Sequence, residues 1–111
     1  MSLTSLSISE LRRKFRSRET SPIEALEALE ARIGQVEPVV HGYLSRDYAA
    51  ARTLAEKADI SLPLGGVPIA IKDVINVNGE PCSCGSKILD GYRATYDATV
   101  IKMLRAAGAI P

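Results

Sequence analysis

Apolar residues recur at three- and four-residue intervals through the first half of the chain, and that period predicts helices. Ser7-Ile-Ser-Glu10 has capping-box spacing, so a first helix is expected from there to about Ser17, with Ile8, Leu11 and Phe15 as its buried stripe. Ser21-Pro-Ile-Glu24 repeats the spacing and adds proline at the first helical position, where a missing N–H does no harm. Ile23, Leu26, Leu29 (or Glu30), Ile33 and Val36 then form one stripe, with Glu37-Pro38 as its expected stop. Only Arg18-Glu19-Thr20 separates the two helices, which are therefore expected to pack as a hairpin. A third, alanine-rich helix is expected from Asp47 to Ala58, packing through Ala51, Leu54, Ala55 and Ala58.

After Ile60 the pattern changes. In the apolar run Leu64-Gly-Gly-Val-Pro-Ile-Ala-Ile71, residues Val67 to Ile71 read as a short buried strand, bounded by Gly65-Gly66 and, after further extended chain, by the Asn78-Gly79 turn. A loop from Glu80 to Tyr96 follows, with one helical turn at Lys87-Ile-Leu89. Asp97 is expected to cap a last helix whose Val100, Met103 (or Leu104) and Ala107 face inward, with Gly108 as its stop. Ala109-Ile110-Pro111 reads as the start of another strand, giving the order of a parallel crossover whose second strand is incomplete. The fold class expected is therefore α/β: a helical region over about 7–58 and a strand-loop-helix region over about 64–111, both in one incomplete domain over 1–111 that begins a longer protein.

Composition narrows the function classes. Hydrophobic residues make up 46% and charged residues 24%, as in ordinary globular proteins. A net charge of +1 gives no dominant attraction to nucleic acid or anionic membrane, and no apolar run approaches the roughly 20 residues that span a bilayer. Arg12, Arg13, Lys14, Arg16 and Arg18 give the start a basic character shared with organellar transit peptides. The stripe beneath them and the intervening Glu10 fit a solvated helix face instead, and a cytoplasmic location is expected. Cys82 and Cys84 are too close for an ordinary disulfide and lack companion ligands for zinc, so they read as small thiols in a reducing compartment; no metal site is expected. His41 has no second ligand or nucleophile near it in sequence, and Gly65-Gly66 lacks the spacing of a phosphate loop.

Lys72 is the candidate for chemistry, because it closes the apolar run. Burial there would disfavour the ammonium and make the neutral amine available as a general base. A strand-end lysine that snorkels to water or pairs with Asp73 fits the same pattern. Ser83 and Ser86 in the small-residue loop could approach Lys72, since serine–lysine dyads are a known nucleophilic variant, but no G-x-S-x-G elbow is present.

The run Leu64-Gly-Gly-Val-Pro-Ile-Ala-Ile-Lys-Asp73 resembles the start of the amidase signature family, whose members carry a G-V-P-I-A-I-K-D segment. Ser9-Glu-Leu11, Ser21-Pro-Ile-Glu24, Glu37-Pro-Val-Val-His41, and the stretch from Cys84-Gly-Ser-Lys-Ile-Leu89 through Tyr96-Asp-Ala-Thr-Val100 to Ala107-Gly-Ala-Ile110 are similar to its tRNA-linked branch. The resemblance extends from about Leu6 to Pro111 and implies a mixed-sheet amidase fold. It also implies a triad of a nucleophilic serine, a middle serine and a lysine, the lysine corresponding to Lys72. In that branch a glutaminase subunit releases ammonia from glutamine and works with two partners, the B and C subunits of an amidotransferase. ATP and magnesium act at the B subunit, where misacylated Glu-tRNA(Gln) is amidated, and the C subunit wraps the other two. No cofactor is expected on the present segment. Both serines and the oxyanion donors belong to a glycine- and serine-rich signature downstream of this region, so the chain alone is expected to be inactive. Val74 stands where many family members carry asparagine. Two other readings remain open: a non-catalytic module that binds partner subunits through its N-terminal helices, and a family member acting on a small amide without tRNA.

Overall fold

The computed structural model describes residues 2–111. Among these residues four α-helices form, α1 (Ile8–Arg16), α2 (Pro22–Val40), α3 (Tyr48–Glu56) and α4 (Thr99–Ala106), with short 3₁₀ turns at Leu3–Ser5 and Lys87–Leu89. Both capping boxes form. Ser7 Oγ accepts from Glu10 N at 3.2 Å while the Glu10 carboxylate accepts from Ser7 N at 2.8 Å, and Ser21 and Glu24 repeat the pair at the same distances. Each box satisfies backbone donors that a helix start otherwise leaves bare.

Pro38 does not end α2. The helix runs through it to Val40, and His41, at φ 51°, closes it by donating from its backbone N–H to Glu37 O. In the last turn a proline forfeits only one hydrogen bond, and the carbonyl its ring crowds belongs to Gly34, which has no side chain to restrict adjustment.

Two apolar clusters lie on adjacent sides of α2. Leu11 and Phe15 of α1 meet Ala25 and Val67 in one, with Leu6, Ile60 and Ile69 around them. In the other, Leu26 meets Ala55 of α3 and Ile110, with Ile23, Tyr48 and Ala51 beside them. The long contact along α2 is made by α3 rather than by α1, so the expected α1–α2 hairpin is replaced by a contact near the start of α2. Arg52 reaches Glu27 at 2.6 Å and Arg46 reaches Glu30 at 2.7 Å, tying α3 and the turn before it to α2. These pairs are substantially exposed, so they orient α3 more than they stabilise it. Ile8 and Leu54, expected inside, are exposed.

The strand expected over Val67–Ile71 forms only a single parallel bridge, Pro68 to Ile110. Around it Gly66 N donates to Gly108 O, Ile110 N to Val67 O, and Ile69 N to Ile110 O, at 2.8–3.0 Å. No sheet extends beyond this bridge among the described residues, because a ladder needs a partner for every extended residue and Ile71 has none here. The order extended segment, α4, extended segment is nevertheless that of a parallel crossover. Gly65-Gly66 makes the approach possible: a Cβ on Gly65 would collide with Asp59 O, and one on Gly66, at φ +82°, would collide with the Pro22 ring.

α4 departs from expectation at both its cap and its face. Ala98 occupies the cap, with no side-chain hydrogen bond. Asp97 instead accepts from Asn78 N at 2.8 Å and from Arg105 Nε at 2.9 Å, joining the turn before the loop to the helix after it. Ile101 is fully buried, whereas Val100 and Met103 are exposed. The stop is as expected: Gly108, at φ +91°, lets Ala109 N reach back to Leu104 O.

Phe15→Ala is expected to destabilise the chain by about 3–5 kcal/mol, because it empties the centre of the first cluster. A urea titration followed by helical circular dichroism checks this, and an unchanged midpoint would mean that α1 is not anchored through the ring. The hydrogen bond from Asn78, assisted by Arg105, holds Asp97 below the usual carboxylate range. A folded-state pKa depressed in this way gives stability that is present above the unfolded value of about 4 and fades as pH falls through the lower folded value. Asp97→Asn should therefore lower stability by about 1 kcal/mol at pH 7, with the gap to the parent closing below about pH 4. Parallel pH–stability curves for the two proteins would contradict this.

Candidate active site

Beyond the bridge at Pro68 the chain runs outward to Lys72, which opens a turn closed by Ile75 N donating to Lys72 O at 3.0 Å. Lys72 is exposed, and among the described residues its Nζ has no hydrogen-bond or ion-pair partner. The desolvation expected for this amine is thus not supplied by these residues. Burial along the run falls away: Val67 is buried, Pro68 and Ile69 are half-buried, Ala70 is exposed, and Lys72 stands past the last paired residue. Nor does Asp73 pair with Lys72. Its carboxylate is taken by the loop.

That loop, residues 79–94, is closed at its base by antiparallel pairing. Gly79 N donates to Ala94 O at 2.8 Å, Ala94 N to Glu80 O at 2.9 Å, and Pro81 bridges Arg93. The Asn78-Gly79 turn forms as expected, with Gly79 at φ +84°. At the far side the loop folds onto Asp73. Ser83 N donates to Asp73 Oδ1 at 2.9 Å, the Ser83 hydroxyl donates to Oδ2, and Cys84 N donates to Asp73 O at 2.9 Å. Cys84 at φ 53° and Gly85 at φ 70° are both left-handed. This bends the chain so that successive N–H groups converge on one residue. The Ser83 hydrogen bonds, side chain first, hold Asp73 below the ordinary carboxylate range, so it is an anion at neutral pH.

The remaining sequence candidates occupy other positions. Ser86 accepts from Ile88 N and caps the 3₁₀ turn, and its hydroxyl makes no bond to Asp73. Cys82 is buried, and burial pushes its thiol pKa up, which opposes a nucleophilic role. Cys84 is exposed, and both thiols are free. His41 is exposed at the end of α2, where only its backbone has a defined task. Among the described residues no cluster of histidine, cysteine and acidic side chains has the composition to hold a metal ion.

The structure therefore assembles Lys72, Asp73 and Ser83 at one place, but with Asp73 joined to Ser83 and the lysine amine free. The Asp73–Ser83 pair was not legible in the sequence, where nothing in their ten-residue separation marks a contact. What the arrangement offers chemically is an accessible amine on a backbone fixed by hydrogen bonds to a folded loop.

Comparison with known proteins extends this. The family model described as Amidase matches residues 24–111. The glutamyl-tRNA(Gln) amidotransferase A subunit of Methylacidiphilum infernorum is 54% identical over 99% of this chain, and the same-named protein of Akkermansia muciniphila is 44% identical over 94%. In each case the chain spans only 22% of the relative's length. Among solved structures, 6-aminohexanoate cyclic dimer hydrolase superposes with a TM-score of 0.86 at 30% identity, over 95% of this chain and 22% of that one. Fatty acid amide hydrolase superposes at 0.88 over 97% of this chain and 20% of its own, at 22% identity, a likeness of fold alone. By sequence across most of its length and by fold across nearly all of it, this chain belongs to the amidase signature family.

Proposed function

We propose that this chain is the N-terminal part of the glutaminase subunit of a Glu-tRNA(Gln) amidotransferase. The observation that carries the reading is the 54% identity to a protein of that name over 99% of the chain. In this reading Lys72 is the proton acceptor of a serine–serine–lysine triad. The lysine amine takes a proton relayed through the middle serine, and the nucleophilic serine then attacks the amide carbonyl of glutamine. The C–N bond breaks as the lysine returns its proton through the middle serine to the departing nitrogen, ammonia leaves, and an acyl-enzyme remains for water to release as glutamate.

Both serines would come from the longer subunit, as would the mixed sheet that continues the Pro68–Ile110 bridge. An exposed Lys72 fits this division of labour, because the rest of the protein would supply the walls that exclude water from the amine. Exposed apolar side chains such as Ile88, Tyr96, Val100 and Met103 are surface that a larger domain would cover. The ammonia would pass to the B subunit, where ATP and magnesium support amidation of misacylated Glu-tRNA(Gln), with the C subunit holding the assembly, in the cytoplasm. No helix among the described residues is long and apolar enough to cross a membrane.

In the full-length protein joined to its partners, Lys72→Ala is expected to lower glutamine hydrolysis by at least about 10³-fold, as loss of one member of a catalytic unit does. Retained ammonia release by that variant would refute the assignment of the base. The purified 111-residue chain is expected to release no ammonia from glutamine, since an amine without its serine forms no acyl-enzyme. Turnover by it that disappears on Lys72→Ala would show that the chain is a complete catalyst.

A further inference from the structure

The proton relay described above makes no use of the Asp73–Ser83 pair, yet that pair is the most heavily bonded feature beside Lys72. We propose that Asp73 and Ser83 are positioning residues, a clamp that fixes the Lys72 backbone so that its amine meets the relay serine in register. The inference rests on the reading of Lys72 as the proton acceptor. Its support comes from where the hydrogen bonds converge. Ser83 binds both carboxylate oxygens of Asp73, Cys84 N binds the Asp73 carbonyl, and Ile75 N binds the Lys72 carbonyl. The two consecutive residues are thus held from two sides, by the loop and by their own turn.

A lysine side chain has four rotatable bonds, so its amine is placed only as well as its Cα is anchored. The loop is itself anchored, through the Pro81–Arg93 bridge and through Arg93 donating to Gly79 O at 2.9 Å. With both Asp73 oxygens engaged by Ser83, the carboxylate serves the loop rather than acting as a counter-ion to Lys72. Ser83 is also unsuited to be the nucleophile, because the carboxylate it donates to is held below the ordinary range and is too weak a base to take its proton at neutral pH.

The test uses the full-length protein in its complex, with three substitutions at one position. Ser83→Ala and Ser83→Val remove the hydroxyl, and Ser83→Thr keeps it at nearly the volume of valine. Misplacing a catalytic group by about 1 Å can lower a rate by about 100-fold, so kcat for glutamine hydrolysis should fall about 10- to 100-fold in the Ala and Val variants. KM should stay within about twofold, and threonine should restore kcat to within about threefold. If the Val variant does not assemble, the Ala–Thr comparison carries the result. Equal kcat for the hydroxyl and non-hydroxyl variants overturns the clamp, as does a loss expressed in KM alone. Should Lys72→Ala remain inactive in that case, the clamp fails while the base assignment stands; an active Lys72→Ala would remove both.

Discussion

Where Gly65 passes Gly108, two backbones come closer than any side chain would permit, since a Cβ on Gly108 would lie 2.8 Å from the Gly65 Cα. That approach lets residues 66–69 and 108–110 exchange hydrogen bonds, and the two apolar clusters are built on the result. Val67 enters the cluster of Leu11, Phe15 and Ala25, while Ile110 enters that of Leu26 and Ala55. α2 lies between the clusters with Ala25 and Leu26 contributing to different ones, so its apolar stripe is read by two partners at once. Without the glycine contact, the chain after Ile60 would have no fixed place on the helices.

The same contact decides where Lys72 stands. The paired segment ends at Ile69, and the chain reaches Lys72 three residues later, outside the packed region. Anchoring therefore passes from the core to the loop at residues 82–85, which binds Asp73 through backbone and hydroxyl donors. The chemistry proposed for the amine and the fixation proposed for its backbone are separate tasks carried by neighbouring residues. Such a separation is physically sensible, because an amine that must exchange protons cannot itself be the structural anchor.

Local chemistry was legible in the sequence. The capping boxes at Ser7 and Ser21, the Gly79 turn, the 3₁₀ turn after Ser86 and the glycine stop at Gly108 all lie where residue type dictated, because each depends on groups within five residues of one another. The family was legible too, through the ordered motifs around Lys72. Apart from Pro38, which the last turn of α2 accommodates locally, what was missed depends on distant partners. α4 buries Ile101 instead of Val100 and Met103, since the face of a short helix is chosen by what lies beneath it. Asp97 leaves its own helix start because Asn78 N, nineteen residues earlier, is a donor brought beside it.

The sequence by itself thus determined the helices, the two capping boxes, the glycine stop at Gly108, the turns and the amidase family, all of which follow from neighbouring residues or from motif order. Only the tertiary structure decided that Asp73 belongs to Ser83 rather than to Lys72, and that the amine is open to water within this chain. Pairing a carboxylate with one donor over another requires knowing which groups the folded backbone delivers within about 3 Å, and spacing along the chain does not encode that distance.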